Sequence, residues 1–307
     1  MARSAFVVCL TFLLAFNNLL AQQGDESWLS LSRLSLSASG SYHYAPWKKY
    51  NESLLLVQEA IRYNPAYRNP SGSLDQINGD LTYQLEASYR VFSSFSVTIV
   101  AGWLHTEGVM DFHNVSTSSY SQSYFQTMWL SSFHFGAGLA YAYTLDDDLS
   151  LSAGASIIRY PANLDFQANF QSTPDAYLFS ANLKESALGV HAHIEAHFSA
   201  FGRLSIVPRI EYRWLTLKNL RGRGSETDVY AYSYGTSIGG PGTFEAQLGE
   251  AAGYFGLIIS PGNGFINSHL LHQLWYLTPV GRWWETEQPT SLDLSGAGIS
   301  LGVSYEF

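Results

Sequence analysis

Leu292-Asp-Leu-Ser-Gly-Ala-Gly-Ile-Ser-Leu-Gly-Val-Ser-Tyr-Glu-Phe307 closes the chain, and its alternation decides what kind of wall the chain can build. Ala297, Ile299, Leu301, Val303, Tyr305 and Phe307 share one parity; Gly298, Ser300, Gly302, Ser304 and Glu306 share the other. Successive side chains of a strand point to opposite faces, so one face of this segment is apolar and the other small and polar. The first suits lipid and the second a wet lumen.

The same period of two recurs upstream. At 34–44, Leu34, Leu36, Ala38, Tyr42 and Tyr44 fall on one face, and at 81–91 Leu81, Tyr83, Leu85, Ala87, Tyr89 and Val91 do the same. Further stretches lie at 95–103, 133–143, 149–157, 188–198 and 204–214. Two less regular ones lie at 244–259 and 265–277, which brings the expected number of strands to about ten, with eight to twelve compatible, each near the ~9–11 residues needed to cross a bilayer at a tilt. Connections alternate between short and long. Ser93-Ser94, Asp146-Asp147-Asp148, 199–202 and 261–264 are tight and rich in turn formers, whereas 45–80, 104–130, 160–184, 217–243 and 278–291 are long. Short turns alternating with long loops and period-2 strands describe an antiparallel up-and-down transmembrane β-barrel, an all-β fold whose closure leaves no open edge in lipid.

The terminal strand resembles the C-terminal signal strand of bacterial outer-membrane β-barrel proteins. That resemblance implies that Tyr305 and Phe307 are read by the barrel-assembly machinery and that the protein resides in the outer membrane of a Gram-negative bacterium. Outer-membrane lipid and lipopolysaccharide would then be its surroundings, with both termini periplasmic. The other end agrees: Arg3, an apolar stretch at 5–16 and Leu19-Leu20-Ala21 read as a secretory signal peptide over 1–21, leaving 22–307 as one barrel domain. Cys9 lies within that signal, so no cysteine remains for disulfide or thiolate chemistry. Only 13% of residues are charged against 46% hydrophobic, as a wall facing lipid allows, and a net charge of −9 excludes a nucleic-acid partner.

His191-Ala-His193-Ile-Glu195-Ala-His197 is the most specific polar constellation. These four residues oppose Val190, Ala192, Ile194 and Ala196 and point into the lumen. Same-face neighbours sit about 6.5 Å apart along a strand, so His191 and His193 could supply half of a Zn²⁺ or Cu²⁺ site. No further ligands are evident, and the plainer reading is a hydrated lumen face. Arg209, Glu211 and Arg213 share the inward parity of the next strand, so Glu195, His197, Arg209, Glu211 and Arg213 form an expected lumenal charge ladder. No cofactor is implied. Elsewhere the inward positions are small, such as Ser35 to Ser41 on alternate residues, Gly136, Gly138, Ser152, Gly154, Gly298 and Gly302. They leave either a narrow wet channel or space for an inserted segment. The sequence at 51–63, with Asn51 as a cap-like start and Asn64-Pro65 as a stop, predicts a helix that is a lid or a plug.

Enzyme arrangements of small outer-membrane barrels do not assemble. Asp146-Asp147-Asp148 falls in a tight turn rather than at the outer rim, where omptin proteases keep their acidic residues. A phospholipase or lipid A deacylase would need a serine and a histidine at the lipid interface, yet His105, His113, His269 and His272 lack a partner by spacing. Arg221-Gly-Arg-Gly224 is a basic loop run that could meet lipopolysaccharide phosphates. The leading expectation is a porin-like passive channel with a partly plugged lumen and no enzymatic activity. Behind it stand a closed barrel that binds a surface or complex partner, and an outer-membrane enzyme or metal-binding barrel.

Overall fold

Eight of the stretches with apolar-outward alternation become the staves of a closed barrel. In the computed structural model, which describes residues 33–63, 71–115, 121–172, 175–230, 242–251, 254–260, 264–265 and 288–307, the elements run as follows. First come β1 (Leu34–Tyr44), α1 (Lys48–Tyr63), β2 (Ser71–Leu74), β3 (Gly79–Phe92), β4 (Phe95–Val115), β5 (Ser121–Thr144), β6 (Leu149–Ser172), β7 (Asp175–Phe201) and β8 (Leu204–Trp214). Then follow β9 (Thr216–Leu217), β10 (Arg221–Tyr230), β11 (Gly242–Ala251), β12 (Tyr254–Ser260), β13 (Gly264–Phe265), β14 (Gln288–Pro289), β15 (Leu292–Asp293) and β16 (Gly296–Glu306). The expected signal peptide over 1–21 and the stretch at 266–277 lie outside the described residues.

The ring runs β1, β3, β4, β5, β6, β7, β8, β16 and back to β1, every pair antiparallel. It therefore has eight strands, at the lower bound of the expected range. Of the two further expected strands, 265–277 lies outside the described residues beyond Phe265, and 244–259 divides into β11 and β12. They continue outward from β10, which pairs with the upper part of β7 beyond the point where β8 leaves it: Val190 faces Trp214, and Lys184 faces Arg221. The expected tight connection at 261–264 falls between β12 and β13, which pair with each other in this extension and not in the ring.

The other three tight connections lie at one end. Leu145 N–H donates to Leu149 O at 2.9 Å, and Asp148 N–H to the Asp146 carboxylate at 3.0 Å, which is turn chemistry. Gly202 supplies the left-handed residue of the β7–β8 turn, with φ 58°. Glu306 N–H bonds to Arg203 O and Phe307 N–H to Leu34 O, so the C terminus shares that end.

At the opposite end the strands overshoot. β5, β6 and β7 run 24, 24 and 27 residues against 11 for β1, β8 and β16. Stretches expected as loops, such as 160–172 and 175–184, are strand. Their alternation was hidden because its polarity inverts. On β6 the outward residues change from Leu151 and Ile157 to Arg159, Asn163 and Asp165, while the inward ones change from Ser152 and Ser156 to Ile158, Tyr160, Leu164 and Phe166. β7 does the same, from outward Leu188, Val190 and Ile194 to inward Phe179, Ala181 and Leu183. The apolar belt outside the ring stops where an apolar core inside the extension begins.

That core gathers Leu104, Leu130, Leu164, Leu183, Leu217, Leu248, Leu257, Leu292 and Leu294 with Trp47, Tyr50 and Leu54. Helix α1 closes it as a lid. Trp47 and Tyr50 pack edge to face at 6.2 Å, Tyr50 meets Phe255 at 5.9 Å, and the Ser53 hydroxyl accepts the Phe255 N–H at 3.0 Å. The helix begins at Lys48 rather than at Asn51. Asn51 instead brackets Ile77, its amide donating to Ile77 O and its oxygen accepting Ile77 N–H, both at 2.9 Å. Lys49 and Gln288 hold the Glu250 carboxylate at 2.6 and 2.5 Å, tying α1 to β11 and β14.

Candidate functional site

Period-2 geometry sends the polar parity of every stave into the ring, and there the side chains meet in two connected tiers. In the first, Arg209 on β8 donates through Nε to Glu195 of β7 at 2.7 Å and reaches Glu86 on β3 at 3.1 Å. Gln84 and Ser88 add bonds to Glu86 at 3.4 and 3.3 Å, and His197 lies 3.0 Å from Glu195. In the second tier Arg213 binds Asp80 with both terminal nitrogens, one at 2.9 Å, while its Nε donates to Leu294 O at 2.9 Å. Thr82 donates to Asp80 at 3.2 Å, and His43 stands between the two acids, 3.1 Å from Glu211 and 3.7 Å from Asp80. Asp80 and Arg213 side chains have no exposure at all.

The residues of the expected ladder pair across β7 and β8: His191 faces Arg213, His193 faces Glu211, and Glu195 faces Arg209. His191 and His193 go to different surroundings. His191 bonds to the Tyr160 hydroxyl and tilts against His43 at 5.9 Å, whereas His193 lies over Gly154. Among the described residues no group of three or more His, Asp or Glu side chains has metal-holding geometry.

Asp80, Glu86, His43, His134 and Tyr160 were not singled out from the sequence. Four are on strands not adjacent to the β7–β8 pair, and period 2 assigns a face without saying what faces it across a lumen. The inward parity of 79–92, with Asp80, Thr82, Gln84, Glu86 and Ser88, carried the signal.

Three of the small inward residues lie against histidine rings. A methyl group on Gly102 would stand 2.5 Å from the His134 ring, one on Gly154 2.6 Å from His193, and one on Gly298 2.7 Å from His43. In each case glycine and histidine are register partners on neighbouring strands. The glycines are the seats of the imidazoles. An eight-stranded ring has an interior that side chains can fill, and these three rings occupy part of it.

Outside the ring a groove of about 300 Å³ crosses the outer face of β6, β7 and β10, lined by Asp165, Gln167, Ser180, Asn182, Arg223 and Ser225. The Asp165 carboxylate accepts amide hydrogens from Asn163 at 2.6 Å and Asn182 at 2.5 Å, and Ser180 and Ser225 hydroxyls bond at 2.9 Å. These contacts pre-form its floor.

No protein-family model and no curated protein matches the chain. Solved structures similar to it are bacterial outer-membrane β-barrel proteins. Neisserial surface protein A aligns over 89% of this chain and 97% of its own, at 9% identity and TM-score 0.33. A major outer membrane protein from Thermus thermophilus aligns over 89% and 99%, at 9% identity and TM-score 0.36. The translocator domain of the autotransporter NalP from Neisseria meningitidis aligns over 100% and 97%, at 10% identity and TM-score 0.22.

Proposed function

We propose that this is a closed outer-membrane barrel whose task is to hold the extended sheet and its lid at the cell surface as a binding platform. The observation that carries this is the bidentate Asp80–Arg213 pair: both side chains are without exposure, at the end of the ring away from the tight turns, directly beneath an apolar core roofed by α1. A porin-like passage, the leading expectation from sequence, would have to break that pair and also part the core above it. Buried ion pairs that lose one partner leave an uncompensated charge, so such opening is costly. On this reading both termini face the periplasm with the short turns, and the polarity inversion along β6 and β7 marks the outer water boundary.

Planar-bilayer recording of the refolded protein tests it. No conductance steps are expected, and none after deletion of 48–63, because the two ion-pair tiers remain below the lid. Regular unitary steps from the intact protein would overturn the closed-barrel reading and restore the channel. Affinity capture of the protein from detergent-solubilised outer membranes should recover a stoichiometric surface component; recovery of a lone monomer would count against the platform.

A further inference from the structure

The outer face of the wall carries a feature that neither a closed lumen nor a roofed core requires. Where the apolar belt stops, cations gather. Leu188 on β7 is 71% exposed and Ile157 on β6 is 61% exposed, both outward. One outward step above Ile157 is Arg159, whose Nε donates to the Ser186 hydroxyl at 2.8 Å, bringing its guanidinium beside the residue directly above Leu188. The next outward residue on β7 is Lys184, which faces Arg221 on β10, and Arg223 follows Arg221 on the same face opposite Asn182. All four cations are exposed.

The neighbouring carboxylates are elsewhere engaged or out of reach. Asp165 is committed to Asn163 and Asn182, and Glu185 accepts the backbone N–H groups of Lys218 and Asn219 at 3.0 and 2.8 Å. Glu245 faces Arg223 in register without an ion pair forming between them. Among the described residues none of the four cations has a carboxylate within 4.0 Å. In a chain of net charge −9, four cations here stand against three carboxylates, Asp165, Glu185 and Glu245, with which they form no ion pair, so their donors stay available to an outside anion. It sits at headgroup height, and Arg223 also lines the polar groove with Asn182, Gln167 and Ser180. Guanidinium pairs suit phosphate oxygens, and amides and hydroxyls suit sugar hydroxyls.

We propose that Arg159, Lys184, Arg221 and Arg223, with the groove beside them, form a binding site for the phosphorylated sugar headgroup of a glycolipid in the surrounding leaflet. This rests on the orientation given under the proposed function but not on what the platform binds. The lipid's acyl chains lie along the apolar belt below Arg159, and its phosphate meets Lys184, Arg221 and Arg223.

The test uses the full chain refolded in detergent micelles, titrated with bisphosphorylated lipid A and followed by native mass spectrometry. One retained lipid per barrel is expected. Arg221→Ala with Arg223→Ala should weaken retention about tenfold or more, Lys184→Ala should weaken it in the same direction, and Arg221→Lys with Arg223→Lys should keep most of it. Lys48→Ala, an exposed cation on the lid, should change nothing. Monophosphorylated lipid A should bind more weakly, and millimolar inorganic phosphate should not displace the lipid. Wild-type retention in the double alanine variant, equal binding of both lipids, or displacement by free phosphate would each overturn the proposal. Heat-dependent gel mobility shows that each variant is folded. Conductance is scored separately, so a channel in the bilayer and a failed lipid site are distinct results.

Discussion

Asp80 and Arg213 stand 133 positions apart in sequence and three strands apart around the ring, yet they close on each other through two parallel hydrogen bonds, one at 2.9 Å. Their strands never pair directly; β1 and β16 lie between them. The contact is a brace across the lumen, and it should behave as one.

Replacing Asp80 with Asn removes the charge that compensates a fully buried guanidinium. A loss of roughly 3–5 kcal/mol is expected, the range for breaking a buried pair by one partner. Urea unfolding from lipid vesicles measures it. Asp80→Leu combined with Arg213→Met should cost less than either change alone; a double variant as unstable as the sum of the singles would show that the brace is not one unit.

The glycine seats predict a coupled pair. Gly298→Ala places a methyl group 2.7 Å from His43 Cδ2, with the two next contacts also on that ring. Overpacking of this kind costs about 1–3 kcal/mol. Because the clash is with a side chain alone, adding His43→Ala should relieve most of it. A double-mutant cycle showing simple additivity would mean that the ring does not occupy that seat.

The lid should respond to acid. Partial burial pushes the Glu250 carboxyl up, but hydrogen bonds from Lys49 and Gln288 outweigh it and hold the group below its ordinary value of 4.5. A carboxylate held low in the folded state stabilises it fully above its unfolded pKa, and the contribution disappears as pH falls through the folded value. Lys49 is about half exposed, so the effect stays under ~1 kcal/mol. Protease cleavage within α1 should therefore quicken as pH drops below about 4.5, and Glu250→Gln should flatten that dependence while leaving the ring's unfolding midpoint unchanged.

Truncating the anchor of the lid gives a larger effect with the same readout. Trp47 is 2% exposed and packs on Tyr50, so Trp47→Ala should loosen the cap by about 3–5 kcal/mol. The ring should keep its heat-dependent gel shift. Loss of that shift would show that cap and ring unfold together.

The end of the chain separates assembly from stability. Phe307 contributes one backbone bond to Leu34 and an edge contact with Tyr305 at 5.1 Å, so Phe307→Ala should barely alter the refolded barrel. Accumulation in the outer membrane of expressing cells should fall several-fold if Tyr305 and Phe307 form the expected assembly signal. Undiminished accumulation would remove that role.

Much of the wall was legible because lipid on one side and side-chain polarity on the other impose period 2 directly. Residues 34–44 and 204–214 are β1 and β8 to the residue. That Glu195 and the histidines lie beside Arg209, Glu211 and Arg213 followed from one tight turn, without the individual pairs. Less legible was everything set by three-dimensional closure. Asp80 and Glu86 reach their partners across a lumen, and no local spacing encodes that distance. The upper halves of β6 and β7 kept period 2 with inverted polarity, so a search for outward apolar residues passed over Tyr160, Leu164 and Phe166. The stretch at 244–259 reads as one crossing strand but forms β11 and β12 of the sheet built on β10, because such a sheet carries the same alternation as a stave of the ring.

Residues 215–295 leave the ring at Trp214 and return at Gly296, which pairs with Arg213. The two ends of this excursion therefore sit side by side on adjacent staves, spaced as a hairpin's would be. Lengthening such a connection costs entropy only logarithmically. The surface apparatus can thus be exchanged, shortened or elaborated over evolutionary time while the membrane anchor is inherited unchanged, and a laboratory graft of a foreign loop between Trp214 and Gly296 meets a scaffold already built to accept one.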